Sequence, residues 1–127
     1  MLDLSKIDIT KDQVLAELQM RTGSDQGIHV RDLVARITNS TRSSPALERR
    51  VRDHIQVLRL ANHPICGYPG TGYYMAAERK ELRRTAAFLV SRADSTVRQV
   101  AAMLGAEAPD LYAAFGLKRP EQAEASQ

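Results

Sequence analysis

The sequence predicts a mainly α fold: three helices, a small β-hairpin, then a long C-terminal helix. Three observations predict it. Apolar residues recur at helical spacing in three segments between Thr10 and Asn62. The turn-rich run Tyr68-Pro69-Gly70-Thr71-Gly72 separates two short segments of strand character. Leu82, Ala86, Leu89, Ala93, Val97, Val100 and Leu104 follow one another at steps of three and four residues, a 3.5-type stripe. With 127 residues, 43% of them apolar, the chain has one domain's worth of sequence and enough apolar mass for a core without disulfides.

Residues 1–9 read as a leader. The first helix starts after Thr10, an N-cap with Gln13 three residues on, which is capping-box spacing. Val14, Leu15 and Leu18 form its apolar face, and Arg21-Thr22-Gly23-Ser24 stops it. Thr22–Gly27 reads as turn material. The second helix is expected from about His29 to Ile37, carrying Val30, Leu33, Val34 and Ile37. After the polar break 38–44, Ser44 is placed as N-cap and Pro45 at the first position of a third helix that runs to about Asn62. Leu47, Val51, Ile55 and Leu58 are its buried stripe. Its opposite face changes from Ala46, Arg49, Arg52, Asp53 and Gln56 to Val57, Leu60 and Ala61, so its second half requires an apolar cover.

The hairpin is assigned to His63–Gly67 and Tyr73–Met75. The long helix is assigned to about Ala76–Leu104, on the order of 40 Å, ended by Gly105. A last short helix is placed at 109–115, presenting Leu111, Tyr112 and Phe115, before the polar tail 117–127. The implied domains are 10–76 and a dimerising segment 77–116.

Composition excludes several classes. A formal charge of +3 permits a polyanionic partner without demanding one. No apolar run reaches membrane-spanning length, and the first ten residues lack a signal-peptide pattern. One cysteine, Cys66, suits a reducing cytoplasm, the expected location. Without Trp and with 5% aromatics, single-strand stacking is poorly supplied. No catalytic motif appears and no cofactor is expected. Gly70-Thr71-Gly72 precedes no helix, so it is not a phosphate loop. His63 and Cys66 have ligand spacing but lack a second pair to close a zinc site.

Helix–helix–turn–helix–hairpin is the order of a winged helix-turn-helix. The runs His54-Ile55-Gln56-Val57-Leu58-Arg59, Pro64-Ile65 and Pro69-Gly70-Thr71-Gly72-Tyr73 resemble the N-terminal winged-helix domain of biotin operon repressors. The chain also resembles small phage-encoded winged-helix proteins, in which Gly-Tyr-Tyr precedes a charged helix. The resemblance covers roughly residues 10–76. It implies duplex DNA binding, with the third helix in the major groove and the hairpin as wing. It does not imply biotin chemistry, because the ligase domain with its Gly-Arg-Gly loop is absent. Ala61-Asn62 stands where related proteins carry Gly, and Asn tolerates the left-handed backbone. The wing turn has no Lys or Arg, which counts against strong wing contact with phosphate.

Duplex reading needs side chains that reach base edges and cations that neutralise phosphate. Arg42, Arg49, Arg50, Arg52 and Arg59 outweigh Glu48 and Asp53 between residues 42 and 59, a local +3. Arg49, at the centre of the outward face, is the expected base reader; Arg50 and Arg52 flank it for phosphate. Ser43 and Ser44 are candidate phosphate donors, Gln56 extends the face, and Thr71 lies in the wing turn. Leu82, Leu89, Ala93, Val97, Val100 and Leu104 are the expected homodimer seam, which would present two reading helices to two half-sites; the alternative is packing back on the domain under Val57 and Leu60, and the first turns can do so while the rest dimerises. The expected role is a transcriptional regulator, or a replication-control protein of a phage or mobile element. The rival is a protein-interaction module of the same fold without DNA binding.

Overall fold

A computed structural model describes residues 7–105. The element order is α1 (Lys11–Gln19), α2 (Val30–Thr38), α3 (Pro45–Leu60), β1 (Ile65–Tyr68), β2 (Gly72–Met75) and α4 (Arg79–Met103), with a short 3-10 turn at Ser24–Gln26. The chain divides into two compact units, one through Ala87 and one from Phe88 onward. The boundary therefore falls inside α4 and not near residue 76, because the first turns of that helix pack on the hairpin. The predicted helix at 109–115 and the tail lie outside the described residues.

Local chemistry sets the helix starts. Thr10 caps α1 with the full capping box: its hydroxyl accepts from Gln13 N–H, and the Gln13 side chain accepts from Thr10 N–H. Ser44 Oγ accepts from Leu47 N–H at 3.2 Å, with Pro45 opening α3. Such caps contribute about 1 kcal/mol each. Asn39 ends α2 in the left-handed region at φ 52°, and Asn62 follows α3 at φ 75°. The short polar side chain of Asn makes that conformation cheaper than it is for other L residues.

The three helices pack α1 and α2 against the inner face of α3. Val14, Leu18, Leu33, Val34, Leu47, Val51, Ile55 and Leu58 form the core with Ile28 and Ile65. The expected leader is in part structural. Ile9 is buried in this core, and its carbonyl lies 2.7 Å from His54 Nε2 on α3. Ile9 precedes the cap and Val14 sits at the fourth helical position, the two positions of a hydrophobic staple.

The segment expected to be only a turn supplies two sheet contacts. Ile28 exchanges backbone hydrogen bonds with Tyr73 at 2.9 and 2.8 Å, and Arg21 and Gly23 bond Met75 at 2.7 and 2.9 Å. The antiparallel hairpin, with Cys66 opposite Tyr74 and Gly67 opposite Tyr73, thus gains a third edge. Tyr73 and Met75 face the helical core. Cys66 and Tyr74, on the other face, are fully buried toward Thr85 of α4. Thr85 Oγ1 accepts from Gly67 N–H at 3.2 Å and is the one buried side chain of α4.

Helix α4 begins at Arg79 and not Ala76, because Glu81 folds back to cap it. Its carboxylate accepts from Ala77 N–H at 2.8 Å, Glu78 N–H at 3.1 Å and, across the fold, Ser24 N–H at 2.8 Å. These hydrogen bonds, the one from Ala77 first, hold the Glu81 carboxyl below its ordinary value. A depressed carboxyl stabilises the fold above the unfolded-state value, about 4.3. That contribution is lost as pH falls through the lower folded value. Glu81→Gln is expected to lower the thermal midpoint at neutral pH and to flatten its fall below about pH 4.3. Parallel acid slopes for Glu81→Gln and the parent chain would remove Glu81 from this role.

Candidate nucleic-acid interface

The outward face of α3 is set by its inward one. With Leu47, Val51, Ile55 and Leu58 buried, Ala46, Arg49, Asp53, Gln56, Val57 and Leu60 point to solvent, flanked by Arg50 and Arg52. Pro45, Ala46, Arg49, Arg50 and Asp53 line a shallow depression of about 490 Å³ at the N-terminal half of this face.

The predicted side chains separate into three groups. Arg42 and Arg49 are exposed and have no ion-pair partner among the described residues. Arg50 and Arg52 are exposed but engaged: Arg50 Nη1 lies 2.5 Å from Asp8 Oδ1, and Arg52 Nη2 lies 4.0 Å from Glu48 Oε1. Such surface pairs contribute little to stability, so both guanidiniums can exchange partner. The serines are turned to local work. Ser43 donates its hydroxyl to Glu48 Oε2 at 2.8 Å, and Ser44 accepts at the helix cap. Gln56 is exposed on the same face. Thr71 is half-buried in the hairpin turn, its hydroxyl 3.4 Å from the Tyr68 carbonyl oxygen.

Arg59 belongs to none of these. It turns under the hairpin, donates from Nε to the Ile65 carbonyl at 2.9 Å and lies 5.9 Å from the Tyr73 ring centre. Burial lowers its pKa from the ordinary value. Its charge stays with the fold. Asp8, which proximity in sequence did not link to α3, adds a carboxylate. The exposed face therefore carries four arginines, at 42, 49, 50 and 52, against Asp8, Glu48 and Asp53. A net +1 replaces the +3 read along the chain.

The hairpin tyrosines serve packing. Tyr74 is buried, Tyr73 lies beside Arg59, and the Arg84 guanidinium sits 4.3 Å from the Tyr68 ring centre. Burial pushes the Cys66 thiol and the Tyr74 hydroxyl up from their ordinary values. No group of three or more His, Cys, Asp or Glu side chains is placed to hold a metal ion among the described residues. No helix among them is long and apolar enough to cross a membrane.

The apolar end of the α3 face finds no cover among the described residues. Val57 is 48% and Leu60 86% exposed. The first turns of α4 meet the hairpin through Thr85 and the segment before α2 through Glu81 instead. Leu82 and Leu89 are 39% and 37% exposed, and Leu104 is 52% exposed. Ala93 is exposed, and Val97 and Val100 are partly exposed. No protein-family model, curated protein or solved structure matches the chain.

Proposed function

We propose that this chain binds double-stranded DNA as a winged-helix module, with α3 in the major groove and the β1–β2 hairpin beside it. The observation that carries this reading is Arg49. It is exposed, with no ion-pair partner among the described residues, at the centre of the outer face of a helix whose inner face is fixed in the core. A guanidinium so held is suited to a bidentate contact with guanine O6 and N7. Arg42, Arg50 and Arg52 suit phosphate contact around it.

The biological role in this reading is transcriptional or replication control in a phage or mobile element. The chain acts there as a homodimer paired along α4, which supplies two reading helices for two half-sites.

Retention on duplex DNA is expected at low salt and is expected to weaken as salt rises, with a shallow slope because the face carries only four arginines. Arg49→Ala should weaken specific binding by about tenfold or more and relax preference at one base pair. Arg42→Ala should weaken all duplexes alike and reduce the salt slope by about one. Unchanged affinity and preference in Arg49→Ala would remove α3 as the reader.

The exposed Val57 and Leu60 favour a second reading, a protein-interaction module that buries this apolar end against a partner. It predicts partner capture that survives high salt and is abolished by Leu60→Glu, with no retention on duplex DNA.

A further inference from the structure

The exposed face of α3 contains a group that works against general DNA affinity. Asp53 is exposed one turn after Arg49, lines the same depression, and has no ion-pair partner among the described residues. Arg49 stands four residues before it, a spacing that brings side chains together on a helix, yet the two form no ion pair. The order is the less favourable one, with the cation N-terminal to the anion. Among the described residues no hydrogen bond or ion pair engages this carboxylate. It is not a helix cap, and the two ion pairs on the same helix involve Glu48 and Asp8 instead.

Facing phosphate, an unpaired carboxylate is repulsive and only costs affinity. Facing base edges in the major groove, it has one good use. A carboxylate accepts from the exocyclic amino group of cytosine, whereas guanine offers only the acceptors N7 and O6 there. Resting on the proposed duplex binding, we infer that Asp53 is a specificity-determining residue that selects cytosine, paired with Arg49 selecting guanine. Four residues of helix rise about 6 Å, and base pairs stack at about 3.4 Å. The two selected bases therefore lie within about two base-pair steps of each other. The ligand class is a duplex half-site with adjacent or near-adjacent G·C pairs, one read from its guanine and the other from its cytosine.

Selection from a randomised duplex pool tests this with the full-length chain, its Asp53→Ala and Asp53→Asn variants, and Arg49→Ala. The parent chain should enrich a guanine and a cytosine within about two steps. Asp53→Ala should lose the cytosine preference, on the order of tenfold, while keeping the guanine preference. Its affinity for unselected duplex should hold or rise, because a negative charge has left the face. Asp53→Asn should move the preference at that position from cytosine to adenine, since an amide makes a bidentate pair with adenine N6 and N7. Neither variant should alter the thermal midpoint, because the Asp53 carboxylate has no hydrogen-bond or ion-pair partner among the described residues.

If Asp53→Ala and Asp53→Asn enrich the same site as the parent chain, Asp53 does not read sequence, and the duplex-binding reading stands without it. If the parent chain is not retained on any duplex at low salt, both the reading and this inference fall. If Asp53→Ala merely lowers affinity for all duplexes equally, Asp53 is a positioning residue and the cytosine assignment is overturned.

Discussion

Replacing Gly72 with alanine is expected to cost about 3 kcal/mol or more and to detach the hairpin from the segment between α1 and α2. Gly72 occupies φ +77°, a conformation that L side chains rarely adopt. A Cβ there would sit 2.5 Å from the Ile28 carbonyl carbon and oxygen and 2.8 Å from His29 N. All three are backbone atoms of the segment that bonds β2, so no side-chain rotation relieves the clash. The same approach from the other side is made by Gly27, where a Cβ would stand 1.9 Å from the Thr71 oxygen. A domain of this size is stable by only 5–15 kcal/mol, roughly. The expected result is a large drop in the thermal midpoint and loss of amide protection at Ile28 and Tyr73, read by hydrogen exchange. Protection at both amides equal to that of the parent chain would show that the backbone can open here without cost.

In the proposed homodimer, Leu89→Glu is expected to halve the particle mass in solution, from dimer to monomer, measured by light scattering at matched concentration. The reason lies in how much of α4 stays exposed beyond its one buried residue. Thr85 is the buried residue of this helix, and its hydroxyl is bonded to Gly67. Leu89 is 37% and Leu104 52% exposed, Ala93 is exposed, and Val97 and Val100 are partly exposed. Burying a leucine side chain contributes about 1.5–3 kcal/mol, and in a two-fold pair each substitution acts twice. A carboxylate at position 89 replaces that gain with two like charges brought together in an apolar seam. Leu89 is already 37% exposed on the helix surface, so the variant should keep its helical circular dichroism. A parent chain that already runs as a monomer would overturn the dimer. A Leu89→Glu variant that keeps the dimer mass would move the seam elsewhere.

Much of the architecture is legible in the chain because it rests on local chemistry. Thr10 with Gln13, and Ser44 with Pro45, announce their helices through hydrogen bonds that close within four residues. The buried stripes on all three helices follow from period alone. The hairpin follows from Pro69-Gly70-Thr71-Gly72. The exposure of Arg49 follows from Val51 and Ile55 being inside.

Other features depend on residues far apart in sequence, and only the tertiary structure decided them. Ile9 is core because α3 passes beside it. Gly27 and Ile28 reach the sheet because β2 lies within hydrogen-bond distance. Both signals exist in the chain, an apolar residue before a cap and a Gly-Ile pair between helices, but neither states its partner. Charge shows the difference most sharply. Arg59 counts toward a basic run along the chain, yet the fold places it under Tyr73 and brings Asp8 to Arg50. Pairing across 42 residues is a property of packing, and counting along a segment cannot register it. The same holds for α4: the stripe was readable, but which side met the hairpin was settled by one threonine reaching one backbone amide.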